Sequence, residues 1–92
     1  MNDFEFIFTG ESYKDLERLD SQNRKRILKR LKWLKENFNL IVPLPLSEEW
    51  QGFFKLRVGD WRVVYEIDYG KNKIFVHIID KRDKIYQRKI PK

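Results

Sequence analysis

Residues 4–8, Phe-Glu-Phe-Ile-Phe, place Phe4, Phe6 and Phe8 on one face at period two, which predicts a β-strand. Ser12-Tyr13-Lys14-Asp15 then offers a hydroxyl cap with a carboxylate three residues on, and Leu16 and Leu19 follow at helical spacing. Asp20-Ser21 can cap a second helix whose apolar positions Ile27, Leu31, Leu34 and Phe38 are spaced 4, 3 and 4, with Leu28 widening the stripe. Together these segments predict a strand followed by a two-helix hairpin.

Pro43 and Pro45 exclude further helix, so residues 42–50 read as an irregular connection whose own apolar residues pack it down. From Phe53 the period becomes two: residues 53–58 and 61–67 alternate on either side of Gly59-Asp60, a β-hairpin with a two-residue turn. That loop length sets the register. It opposes Val58 to Trp61, Arg57 to Arg62, Leu56 to Val63, Lys55 to Val64 and Phe54 to Tyr65. Turn chemistry at residues 68–72 precedes Ile74–Ile79, an apolar run suited to a strand buried on both faces, and a basic tail closes the chain. The expected class is α+β: an N-terminal strand, a two-helix hairpin, a mostly antiparallel sheet of three further strands and a short basic C-terminal segment, all in one domain over residues 1–92.

Composition narrows the chemistry. A chain of 92 residues that is 41% hydrophobic supports one core and one site. No run reaches the ~20 apolar residues that span a bilayer, and Met1-Asn2-Asp3-Phe4-Glu5 lacks the basic and apolar start of a secretion signal, so a cytoplasmic protein without a membrane is expected. Zero Cys and one His leave no thiol nucleophile, no thiolate or His-rich metal site and no His pair, and the acidic residues show no paired arrangement, so neither metal nor cofactor is expected. Twenty Lys and Arg against fourteen Asp and Glu give a net charge of +6, which favours polyanionic partners.

The distribution of charge is more specific than its sum. The second helix carries Arg24, Lys25, Arg26, Lys29, Arg30, Lys32 and Lys35, a face that would neutralise phosphates without reading sequence; Arg24, Lys25, Lys29 and Lys32 are the expected RNA contacts, against the plain alternative of a solvated face. In the hairpin, Phe54, Leu56, Val58, Trp61, Val63 and Tyr65 form the core side, while Lys55, Arg57 and Arg62 gather on the other with Val64 and Glu66. Like charges directly across a strand pair are unfavourable within the ~0.2–1 kcal/mol range of such effects, and a bound anion would relieve them; splaying into solvent, with Glu66 neutralising part of the field, is the alternative. Arg82 and Tyr86 follow a central strand and can reach the same sheet, supplying the guanidinium and phenol that a phosphodiester needs. His77 reads as a packed residue, and Trp33 and Trp50 as core, connection packing or partner contact.

The segment Lys55-Leu56-Arg57-Val58-Gly59-Asp60-Trp61-Arg62, followed by Asp80-Lys81-Arg82 and Tyr86, resembles the RelE branch of the RelE/ParE toxin superfamily, and the upstream strand, Ser-x-x-Asp-Leu and basic helix extend the resemblance over nearly the whole chain. The resemblance implies a toxin of a type II toxin-antitoxin pair that cuts messenger RNA in the ribosomal decoding site by metal-independent attack of the 2′-hydroxyl. It implies a transition-state-stabilising role for Arg62 and Arg82, a proton acceptor in Lys55, a C-terminal tyrosine in Tyr86, and backbone binding by Arg57 and Lys81. Lys81 stands where many relatives carry His. A cognate antitoxin, the ribosome and messenger RNA are the implied partners, with no small-molecule cofactor. The alternative is a non-nucleolytic ParE-like toxin acting on DNA gyrase, or an inactive relative that binds RNA or a partner.

Overall fold

The period-two and period-3.6 segments fold, in a computed structural model that describes residues 4–91, into the strand β1 (Glu5–Phe8), the helices α1 (Gly10–Arg18) and α2 (Ser21–Glu36), and four more strands. These are β2 (Leu44–Pro45), β3 (Phe54–Val58), β4 (Trp61–Asp68) and β5 (Lys73–Lys81). The residues Met1 to Asp3 used in reading the N-terminus lie outside the described set. The sheet order is β1-β5-β4-β3-β2, with β1 parallel to β5 and every other pair antiparallel. The α+β order expected from the sequence is the order observed, with β2 as an added edge strand. That strand escaped the pattern because it is two residues long and one of them is proline, which is tolerated only at an edge.

The α1 cap lies three residues earlier than the sequence suggested. Thr9, in extended conformation, accepts the Ser12 amide proton on its hydroxyl at 3.3 Å, so the helix begins at Gly10 and not after Ser12. Ser12 is fully buried and donates its own hydroxyl to the Thr9 carbonyl at 3.0 Å. Asp20 occupies the cap position of α2, but its carboxylate accepts from the Asn23 side chain at 2.8 Å and makes no bond to the helix backbone. The stripe Ile27, Leu31, Leu34 and Phe38 is buried as expected; Leu28 stands 41% exposed and does not widen it.

The hairpin register is the one that its loop length dictates, from Phe54 opposite Tyr65 to Val58 opposite Trp61. Gly59 has φ +61° and Asp60 is not among the positive-φ residues, which matches a type II′ turn with glycine first. One face of the sheet packs Leu56, Val58, Val63, Tyr65, Val76 and Ile79 against the two helices. Burial pushes the Tyr65 phenol up to about 12, with a further push from Tyr69. The opposite face is not left to the cations: Leu46 and Trp50 from the connection, Phe53, and Ile85 from the tail cover Val64 and Ile78 in a second, smaller core. Between Val64 and Tyr65 the pairing with β5 slips from Ile78 to Val76, leaving His77 as the extra residue of a bulge.

Parallel pairing of β1 with β5 stops at Phe8 opposite Val76, and α1 takes over the exposed edge of β5 beyond it. The Thr9 amide donates to the Val76 carbonyl at 3.1 Å, and the Ile79 amide donates to the Asp15 carboxylate at 3.0 Å. Asp15, 4% exposed, also receives Arg88 at 3.0 Å, and Arg88 reaches Asp80 at 2.8 Å with its other nitrogen. Burial works against the Arg88 charge, but the bonds to Asp80 and Asp15 outweigh it and hold the guanidinium more firmly protonated than usual. One ion cluster therefore joins α1, β5 and the C-terminal tail.

Arg24 is also committed to structure. Its guanidinium donates to the carbonyls of Leu16, Glu17 and Leu19 at 3.1, 3.1 and 2.7 Å, closing the end of α1, where the Leu16 carbonyl also accepts from the Leu19 amide at 3.2 Å. It serves as a helix-terminating clasp, so its guanidinium is engaged by the protein's own carbonyls, unlike Lys25, Lys29 and Lys32 on the exposed face.

Two stability measurements follow. Removing Arg88 leaves the buried Asp15 carboxylate with only the weaker, exposed Arg18 as cation, so Arg88→Ala should cost about 3 kcal/mol in urea unfolding, and Asp15→Asn in the same background should restore part of that. Arg24→Ala should lower stability by about 2 kcal/mol through the lost carbonyl bonds while leaving RNA affinity unchanged in a filter-binding assay.

Candidate functional site

The hairpin places Lys55 and Arg62 on the sheet face away from the helices, as diagonal neighbours across the β3–β4 pair, and both are half-buried. The tail brings its residues to the same place through three backbone features. The Arg82 amide donates to the Asp60 carbonyl at 2.8 Å, tying the end of β5 to the hairpin turn. The Lys84 amide closes a turn onto the Lys81 carbonyl at 2.9 Å. Ile85, 2% exposed, then anchors a single 3-10 turn, Ile85–Gln87, in the second core. Tyr86 follows this anchor with its ring edge against Trp50, centroids 6.0 Å apart at 85°, and remains 58% exposed.

Lys55, Arg62, Arg82 and Tyr86 thereby line one cleft of about 310 Å³, floored by Leu46 and Ile85 and joined by Asp83. Arg62 is braced: its Nη1 donates to the carbonyls of Gly59 and Trp61, each at 2.8 Å. That holds the guanidinium without neutralising it. Among the described residues no carboxylate forms an ion pair with Lys55, Arg62 or Arg82, so the cleft presents three cations and a phenol to any anion that enters. No group of three His, Asp or Glu side chains spaced to hold a metal ion occurs among the described residues.

The remaining candidates separate from this cleft. Arg57, across the strand pair from Arg62, does not line it; the side chain instead borders a second depression together with Arg26, Lys29, Arg30 and Trp33. The repulsion expected between Arg57 and Arg62 is relieved by divergence, since Arg62 folds onto the turn carbonyls. Lys81 is the last residue of β5 and pairs with Trp61, so it lies on the helix side with its ammonium 5.8 Å from the Trp61 ring, turned away from Arg82. Lys25, Lys29 and Lys32 are exposed on α2, and Lys29 borders the depression beside the hairpin turn. Glu66 does not offset the cations; it bonds His77 at 3.0 Å at the other end of β4, where His77 also packs edge-on against Phe53.

The pattern of the sequence missed Asp83, Leu46 and Ile85 as walls of the cleft. Ile85 carried a signal, because a lone apolar residue in a basic tail needs a place to be buried. Asp83 carried none.

Residues 6–85 match the family of ParE toxins of type II toxin-antitoxin systems. Among curated protein sequences none matches the chain significantly. Solved structures agree in fold. The RelBE2 toxin-antitoxin complex of Mycobacterium tuberculosis contains a chain 26% identical to this one, covering 87% of this chain and 99% of that one, with a TM-score of 0.77. The YoeB/ParE toxin of Agrobacterium tumefaciens is 20% identical over 86% of this chain and 99% of its own, at a TM-score of 0.71. The isolated RelE toxin of E. coli is also 20% identical, over 91% and 92%, with a TM-score of 0.71.

Proposed function

The chain belongs to the ParE toxin family of type II toxin-antitoxin systems, within the RelE/ParE superfamily, and we propose that it is a ribosome-dependent endoribonuclease, one domain over residues 1–92, acting in the cytoplasm. The observation that carries this reading is the convergence of Lys55, Arg62, Arg82 and Tyr86 on one cleft from two separate parts of the chain. No helix among the described residues is long and apolar enough to cross a membrane.

RNA contains its own nucleophile, so the protein has to supply a base, charge stabilisation and alignment. The 2′-oxygen attacks phosphorus as the bond to the 5′-oxygen breaks, leaving a 2′,3′-cyclic phosphate and a 5′-hydroxyl. Lys55, on the cleft wall, is the group placed to take the 2′-proton. Arg62, braced through Nη1 and able to offer its other nitrogens, and Arg82 bear the charge that grows on the phosphorane oxygens. Tyr86, exposed at the mouth, donates its hydroxyl proton toward the departing 5′-oxygen, and its ring offers a stacking face for a base. The exposed cations of α2, Lys25, Lys29 and Lys32, would rest on ribosomal RNA, with Arg57 and Lys81 as further backbone contacts. An antitoxin chain is the expected regulator, because several structures of like fold are toxin-antitoxin complexes.

The ParE name of the matched family favours one second reading, a toxin that acts on DNA gyrase without cutting RNA. Toeprinting of ribosome-bound message separates the two. The nuclease reading expects a new 5′-end in the decoding site, and the gyrase reading expects trapped gyrase–DNA complexes with intact message.

Removing a preorganised charge-stabilising donor commonly costs about 10²–10³ in rate, so Arg62→Ala should lose that much cleavage while its unfolding midpoint stays near wild type. Cutting at the unaltered rate by this variant would overturn the assignment. Lys55→Ala should slow single-turnover cleavage while leaving RNA affinity near wild type; a spectator lysine would leave the cleavage rate unchanged.

A further inference from the structure

Two further depressions adjoin the cleft along the edge of the sheet. One, of about 390 Å³, lies between α2 and the hairpin turn and is walled by Arg26, Lys29, Arg30 and Arg57 with no acidic side chain. The other, of about 290 Å³, lies between α2, residues 41–44 and β3, and adds Val42 and Leu44. They share Arg30, Trp33 and Arg57, and the second shares Lys55 with the cleft. The first depression is thus linked to the second through three wall residues, and the second to the cleft through Lys55. They run from the flank of α2 around the part of β3 that β2, paired only to Phe54 and Lys55, leaves uncovered.

The walls set one accessible ring, Trp33, among cations. Trp33 is 37% exposed, and the Arg30 guanidinium lies 3.9 Å from its ring centroid. Arg26 presses on the turn where Gly59 leaves room; a Cβ there would stand 2.5 Å from its Nη2. Val42, 87% exposed, and Leu44, 44% exposed, extend the apolar surface toward Lys55. A stacking face set among unpaired cations is what a single nucleic-acid strand uses, and a path that turns around a β-strand edge suits a flexible strand better than a duplex.

We infer that this groove is a track for single-stranded RNA continuous with the strand in the cleft, Trp33 stacking a base and Arg26, Arg30 and Arg57 holding phosphates. The direction of the track rests on the nuclease reading; the binding itself does not. An acidic protein segment is the competing occupant, disfavoured by the shared wall with the cleft and by the partly open Trp33 ring.

The test measures anisotropy of uncleavable 2′-O-methyl oligouridylates of about three and about nine nucleotides on the purified protein, a span within known single-strand site sizes. The longer probe should bind more tightly. Trp33→Ala should weaken the longer probe roughly tenfold and spare the shorter one, with Trp33→Phe retaining most of the affinity. Arg57→Ala should also weaken it and should lower the slope of log affinity against log salt by about 0.7, the value of one phosphate contact on a single strand, which Trp33→Ala should leave alone. Lys71→Ala, an exposed cation in the turn before β5, should change nothing. Equal binding of both probes, or a loss with Lys71→Ala equal to that with Arg57→Ala, would overturn the track. So would Trp33 and Arg57 variants that keep RNA affinity but release a co-expressed antitoxin. Because the probes are not cut, failure of the nuclease reading would show separately, in message cleavage by Arg62→Ala.

Discussion

Asp15 is the residue on which the arrangement of the molecule turns. A carboxylate that is 4% exposed is tolerable only when its charge and lone pairs are met, and here they are met from three directions: the Ile79 amide of β5, Arg88 of the tail and, more weakly, Arg18 of its own helix. The amide bond completes the hydrogen bonding of β5 where β1 has ended. The Arg88 bond, continued to Asp80, fixes where the tail returns after crossing the second core. Sheet edge, helix and tail are thereby oriented by one side chain, and the tail is the segment that brings Arg82 and Tyr86 to the hairpin.

The cleft inherits this division of labour. Carboxylates partner Arg88, whereas among the described residues Lys55, Arg62 and Arg82 form no ion pair with one, although Asp83 stands on the same cleft wall. Bracing Arg62 with carbonyl oxygens instead of acids serves the same end, because a neutral acceptor fixes geometry while leaving the charge available to a ligand. Hydrophobic anchoring does the rest: Ile85 and Leu46 hold the floor, and the polar groups stand on it.

The sequence made the hairpin readable because alternation and a Gly-Asp turn leave few other registers, and it made α2 readable because Ile27, Leu31, Leu34 and Phe38 keep strict helical spacing. Boundaries set by side chains were less legible. The Thr9 cap is followed by a glycine, a weak helix former, so Ser12 with Asp15 gives the stronger local signal, while the long-range partners of Asp15 lie 64 and 73 residues away. Charge patterning identified which surfaces are basic but not which cations are free. Arg24 sits in the same run as Lys25 and Lys29 yet is spent on carbonyls, and Arg57 shares a strand face with Lys55 yet leaves it at the uncovered edge.

The bulge at His77 has a consequence for Arg82. Because His77 and Ile78 both lie on the tail-covered side, the in-out phase of β5 is inverted from that point on, and Ile79 and Lys81 face the helices while Asp80 faces the hairpin cations. Were alternation unbroken through His77 and Ile78, the parity would reverse, delivering Lys81 to the cleft and Arg82 to the wrong side. Which of two adjacent basic residues meets the ligand is thus decided five positions upstream, by an odd or even count along a single strand.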